Sequence, residues 1–170
     1  KTKIHCMSII GQIEGHYVLP SHDLSSQGKI DDFVKKVNVI NEKLAEQGIT
    51  FAFHNHAREF NMNPDGSHVY DQLIYRTDIQ FEVDVYWAYA SMKDPIALLE
   101  RVKDRVTFIH LKDGTGEGRG TPLGRGFAPI KEVREWAINN GKQMIVESET
   151  LKPSGIEEVK ICFDYLKTIE

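Results

Sequence analysis

Short apolar runs alternate with helix-periodic segments along this chain, and no hairpin turn joins one run to the next. Strand-like runs fall at 16–20, 49–54, 79–84, 106–111 and 142–147. Helical character is expected over 4–12, 29–47, 69–75, 96–102, 129–140 and 154–167. Parallel neighbours need a crossover connection, usually a helix, so alternation of this kind implies a parallel α/β sheet. With helices outside, such a sheet is either doubly wound or closed into a (β/α) barrel. A full eight-unit barrel takes at least about 200 residues, whereas these 170 residues carry five strand-like runs. The expectation is the C-terminal part of a barrel, in a single domain over 1–170 whose N-terminal units are missing from this chain.

Local signals support the individual elements. Ile30, Phe33, Val34, Val37, Ile40, Asn41 and Leu44 recur at spacings of three and four, the stripe of an amphipathic helix, and Gly48 stops it. Asp94-Pro95 is a helix start, with a capping carboxylate followed by the residue best suited to the first turn. Gly141 closes one helix and Ser154-Gly155 opens the last.

At 41% hydrophobic the chain has enough apolar material for one core, and 21 basic against 25 acidic residues give a formal charge of -4. No basic run stands out, which argues against nucleic acid or an anionic membrane as partner. No apolar run approaches the roughly 20 residues that span a bilayer. Cys6 and Cys162 are far apart and in no ligand spacing, so a disulfide framework is not expected and a reducing compartment, the cytoplasm, is favoured. Lys1 is not an initiator, so removal of a targeting segment, and with it export, stays open.

The polar residues at the strand ends carry the functional argument. His54-Asn55-His56 follows Phe51-Ala52-Phe53, Asp84 follows Phe81-Glu82-Val83, His110 follows Phe108-Ile109, and Glu147 follows Ile145-Val146. In parallel sheets the C-terminal ends of the strands are where sites are built. Each residue alone has an ordinary structural explanation: a strand-end histidine in a hydrogen bond, Asp84 capping a turn, Glu147 paired with Lys112. Recurrence on four successive strand ends points instead to one divalent ion held by His54, Asp84, His110 and Glu147. Imidazole with carboxylate suits Mn²⁺, Zn²⁺, Co²⁺ or Fe²⁺; Ca²⁺ and Mg²⁺ are less favoured. Period two puts His54 and His56 on one face, so His56 rivals His54 as ligand, and it gives Asp84 and Glu147 the same-face companions Glu82 and Glu149, expected in salt bridges.

Taken together, His54-Asn55-His56-Ala57-Arg58-Glu59-Phe60, Glu82-Val83-Asp84-Val85-Tyr86-Trp87, Ile109-His110-Leu111-Lys112-Asp113 and Val146-Glu147-Ser148-Glu149 resemble the successive motifs of the sugar phosphate isomerase/epimerase family, the xylose isomerase-like TIM barrels. The resemblance implies that this chain holds about strands four to eight, with His54 on the fifth. It also implies that strands five to eight supply a metal with ligands that are commonly Glu, Asp, His and Glu. Asp84, His110 and Glu147 match the last three positions; His54 stands where many relatives have Glu. That departure weakens the paired-glutamate epimerase mechanism while leaving Glu147 available as one base. Around such a centre catalysis is expected of Glu147, Lys112 and His56, and substrate contacts of Trp87, Glu59 and Lys112; the ordinary alternatives are a packed core for Trp87 and pairing with Asp113 or Glu149 for Lys112. The glycines at 114, 116, 118, 120, 124 and 126 resemble the family's mobile loop rather than a dinucleotide fingerprint.

The function expected is a metal-dependent isomerase or epimerase of a small sugar or keto-sugar, phosphorylated in some relatives, working through an enediolate. A lyase or dehydratase starting from the same intermediate is the nearest alternative. A non-catalytic sugar-binding barrel belongs to another class, and an endonuclease-IV-like phosphodiesterase is disfavoured by the charge. Five strands expose a parallel edge, to be covered by further strands or by a second copy in a homodimer.

Overall fold

The computed structural model describes residues 3–8, 24–116 and 120–170, the backbone alone at 5–8. The chain divides into two compact units, Lys1–Phe81 and Glu82–Glu170. The first contains β1 (Lys3–Ser8), α1 (Gln27–Glu46), β2 (Ile49–His54) and α2 (Val69–Arg76). The division falls within β3 (Gln80–Asp84). The second unit continues with α3 (Val85–Ala90), α4 (Pro95–Arg101), β4 (Val106–Leu111), α5 (Ile130–Asn139), β5 (Gln143–Val146) and α6 (Gly155–Thr168). No helix among the described residues is long and apolar enough to cross a membrane.

In the first unit β1 and β2 pair in parallel, from Lys3 opposite Ile49 to Ser8 opposite His54. This corrects the helix expected over 4–12: residues 4–8 are strand. Ile4 and Met7, three apart, fit a helical stripe as well as a strand, and a run this short cannot arbitrate between them. The strand expected over 16–20 lies outside the described residues. Helix α1 buries Ile30, Val34 and Val37. At roughly 2 kcal/mol per buried aliphatic side chain, this stripe outweighs the tenths of a kcal/mol by which helix propensities differ. Gly48, at φ +65°, turns the chain out of α1, and its N–H donates to the Ala45 carbonyl at 2.9 Å. Tyr70 of α2 gathers an aromatic cluster, its ring centroid 4.6 Å from Phe60 and 5.3 Å from Phe81.

In the second unit β4 and β5 are parallel, with His110 opposite Ile145 and Leu111 opposite Val146. The Glu147 N–H donates to the Leu111 carbonyl at 3.1 Å, which carries the pairing one residue past β5. Asp94 caps α4 as its sequence indicates, accepting the Ile96 N–H at 2.8 Å and the Ala97 N–H at 3.3 Å. Helix α3 is a finding that sequence reading missed. Its six residues, Val-Tyr-Trp-Ala-Tyr-Ala, follow the strand expected over 79–84 and are too uniformly apolar, over two turns, to show a period.

Candidate metal centre

Within the second unit the ends of β3, β4 and β5 each deliver part of the centre. Glu82 and Asp84 are two apart on β3, His110 and Lys112 two apart at the end of β4, and Glu147 and Glu149 two apart beyond β5. Period two keeps each pair on one face, and the register of β4 on β5 brings their faces together. Asp84, His110 and Glu147 each offer a ligand atom, all within 4.8 Å of one another.

Asp84 is fully buried and also caps α3, its Oδ1 accepting the Trp87 N–H at 3.1 Å. Capping and ligation are thus compatible, since a carboxylate has a second oxygen. Burial pushes its carboxyl up to about 8, against the lowering pull of the Lys112 charge and the Trp87 N–H. His110 sits between two carboxylates, with Nδ1 2.6 Å from Glu147 Oε2 and Nε2 2.9 Å from Glu82 Oε1. Burial alone would lower its pKa, but the hydrogen bonds to Glu147 and Glu82 prevail and raise it to about 9. Without an ion His110 is therefore an imidazolium donating from both nitrogens. Burial would raise Glu147, yet the bond from His110 and the Lys112 charge bring it down to about 2.

Lys112 is 1% exposed, and two carboxylates satisfy its ammonium: Glu147 Oε1 at 3.2 Å and Glu149 Oε1 at 2.9 Å. Its Nζ lies 4.7 Å from the Trp87 ring centroid and 5.9 Å from that of Tyr86. Glu82 and Glu149 form the salt bridges expected of them, with His110 and Lys112. Asp113, considered in sequence as a partner of Lys112, takes backbone N–H groups instead. Trp87 is half-buried and faces Lys112 rather than being sealed in a core.

The other expected site residues belong to the first unit. His54 ends β2, 8% exposed, and its ring centroid lies 5.0 Å from that of the half-buried His56, which agrees with a shared face. Glu59 is buried, and its Oε2 accepts the His56 N–H at 3.0 Å, closing the turn after β2. Burial raises Glu59 to about 7, with the hydrogen bonds from its own and the His56 N–H opposing.

The donor chemistry fits a divalent ion. Two carboxylates and an imidazole converge, and the second nitrogen of the imidazole is held by a further carboxylate, the outer arrangement that orients a ligating histidine. Glu82 is that outer carboxylate. The sequence signalled it only as a same-face companion of Asp84.

The family described as xylose isomerase-like TIM barrel matches residues 4–167. A sugar phosphate isomerase/epimerase from Parabacteroides distasonis is 27% identical, with a TM-score of 0.73 over 84% of this chain and 55% of its own. A 3-keto-D-glucoside 4-epimerase from E. coli is 13% identical, with a TM-score of 0.65 over 88% of this chain and 58% of its own. A probable 3-DHS dehydratase from Bacillus anthracis is 14% identical, with a TM-score of 0.65 over 83% and 58% respectively. The chain thus spans little more than half the length of these structures. No curated protein matches it.

Proposed function

Given that the chain belongs to the xylose isomerase-like TIM barrel family, we propose that it forms the metal-binding half of an enzyme that isomerises or epimerises a small sugar or keto-sugar. The observation that carries this reading is the convergence of Asp84, His110 and Glu147, within 4.8 Å of one another, beside the buried ammonium of Lys112. Asp84, His110 and Glu147 are assigned as ligands, and His54, at the end of β2, as the fourth. Mn²⁺, Zn²⁺, Co²⁺ and Fe²⁺ suit this donor set. The ion, when bound, polarises a substrate carbonyl and stabilises enediolate charge.

The chain's own residues supply the rest. Lys112, 1% exposed, places its positive charge beside Glu147, where it lowers the cost of negative charge developing on a substrate oxygen. Trp87 offers its ring to the apolar face of a sugar. Glu147 and His56 are assigned the proton transfers. In the ion-free site Glu147 is held ionised by His110 and Lys112, so its carboxylate carries no proton and can accept one. Glu59 is assigned to substrate contact through the turn it shares with His56.

Solvent deuterium uptake into a panel of sugars and keto-sugars, with Mn²⁺ added or chelated, tests the proposal. Metal-dependent uptake without loss of water from the sugar supports isomerisation. Uptake with appearance of a dehydrated product supports the lyase reading, for which the Lys112 ammonium would donate the proton that a leaving hydroxyl needs. No uptake and no metal dependence would sink both.

A further inference from the structure

Asp113 follows Lys112 directly and is 1% exposed, yet among the described residues its carboxylate meets no cation. It gathers backbone N–H groups instead. Oδ1 accepts those of Gly114 at 2.8 Å and Ala128 at 3.0 Å, and Oδ2 accepts those of Gly124 and Gly126, both at 2.9 Å. The Asp113 carbonyl takes the Thr121 N–H at 2.7 Å. A side chain at Gly126 has no room, because its Cβ would lie 2.2 Å from Asp113 Oδ1 and 2.3 Å from the Gly114 nitrogen. The segment 120–128 is therefore wrapped on one buried carboxylate, with backbone drawn in too closely for Cβ atoms.

The start of that segment touches the metal centre. A Cβ on Gly120 would lie 3.1 Å from Lys112 Cε and 2.8 Å from the Asp113 carbonyl oxygen. The Gly120 N–H also points at Glu149 Oε2, at 3.5 Å, while Oε1 of the same carboxylate holds Lys112 Nζ. An unbroken set of contacts thus leads from the Asp113 carboxylate, through 120–128, to the lysine.

We propose that Asp113 is a positioning residue for Lys112: its bonds from the Gly124, Gly126 and Ala128 N–H groups fix the segment 120–128, and Gly120 in turn seats the Lys112 side chain against Glu147 and Glu149. That Lys112 then acts on substrate rests on the function proposed above; the seating does not. All four acceptor positions of the carboxylate are used, two on each oxygen. Asp113→Asn keeps the volume but turns one oxygen into an NH₂ that faces two N–H donors, so either amide orientation loses two bonds.

The test uses the protein without metal or substrate at fixed pH, with ¹³C-labelled lysine and the Lys112 Cε signal assigned through Lys112→Arg. In Asp113→Asn, the amides of one oxygen's pair should exchange at least about ten-fold faster, by local opening, while those inside α5 and α6 stay protected. The Lys112 Cε signal should move. Gly120→Ala should move the same signal, through the methyl at Lys112 Cε, and leave the exchange of Gly124 and Gly126 unchanged. Unaltered exchange in Asp113→Asn overturns the proposal. Faster exchange with a stationary Lys112 signal does so too, because Asp113 would then hold the loop alone. If Asp113→Asn does not fold, a stationary signal in Gly120→Ala overturns it. Failure of the isomerase reading would show as absent deuterium uptake and would leave these readouts as they are.

Discussion

Glu82 Oε1 holds His110 Nε2 at 2.9 Å, across from the 2.6 Å contact of His110 Nδ1 with Glu147 Oε2. The imidazole is clamped at both ends, and its ring plane is set before any ion arrives. Nδ1 is then the nitrogen that meets Glu147, and Nε2 the one held by Glu82. Removing the outer clamp without changing its size, by Glu82→Gln, is expected to weaken Mn²⁺ binding by about 10- to 100-fold. Titration followed by the Mn²⁺ paramagnetic signal measures it; an unchanged affinity would mean that Glu82 does not orient the ligand.

In the proposed metal site protons compete with the ion for the same atoms. Asp84 titrates near 8 and His110 near 9 in the ion-free chain, so at neutral pH each must give up a proton to ligate. Affinity should therefore rise with pH, by roughly 10²-fold or more from pH 7 to 9, and level off above the His110 value. Glu147, near 2, is already ionised and adds nothing to the slope in this range. Titration calorimetry in buffers of different ionisation heat counts the protons released. A flat profile would contradict ligation by Asp84 and His110.

Lys112→Met separates binding from catalysis. Removing a cation 3.2 Å from Glu147, a proposed ligand, lifts a repulsion on the incoming ion, so metal affinity should hold or increase. Turnover should fall by about 10²- to 10³-fold, the usual loss when a fixed charge opposite a developing oxyanion is removed. Parallel metal titrations and deuterium-uptake rates give the split. Loss of metal binding together with activity would assign Lys112 to the ligand scaffold alone.

Glu59 gives a stability prediction independent of the metal. Its carboxyl titrates near 7 when folded against an ordinary value of 4.5, so the folded chain binds the extra proton between these values. Stability is then greater below about pH 4.5 and is lost as pH rises through 7, by about 3 kcal/mol in all. Glu59→Gln still accepts the His56 N–H and should remove this part of the decline. Urea midpoints at pH 5 and pH 8 for both chains provide the comparison. An equal decline in both would show that Glu59 is not the group responsible.

The elements that sequence reading found share a cause. Asp94-Pro95, Gly48, Gly141 and Ser154 act on backbone within one turn of themselves, and the apolar runs of β2 to β5 are short enough to exclude helices. The polar residues closing those runs were legible for the same reason. Residues 4–8 and α3 were misread where the run is too short, or too uniformly apolar, for its period to speak.

By itself the sequence determined the alternation of strand and helix and the strand ends where Asp84, His110 and Glu147 stand, because periodicity, caps and turns are local. Tertiary structure alone decided the partners. Glu82, two residues before Asp84, became the clamp on His110; Lys112 went to Glu147 and Glu149; Asp113 beside it went to four backbone N–H groups. Such choices depend on strand register and on the path of a loop over a rim, where residues 28 to 37 apart along the chain come within 3 Å. Adjacent charges of like chemistry are interchangeable in one dimension, and only three-dimensional packing tells them apart.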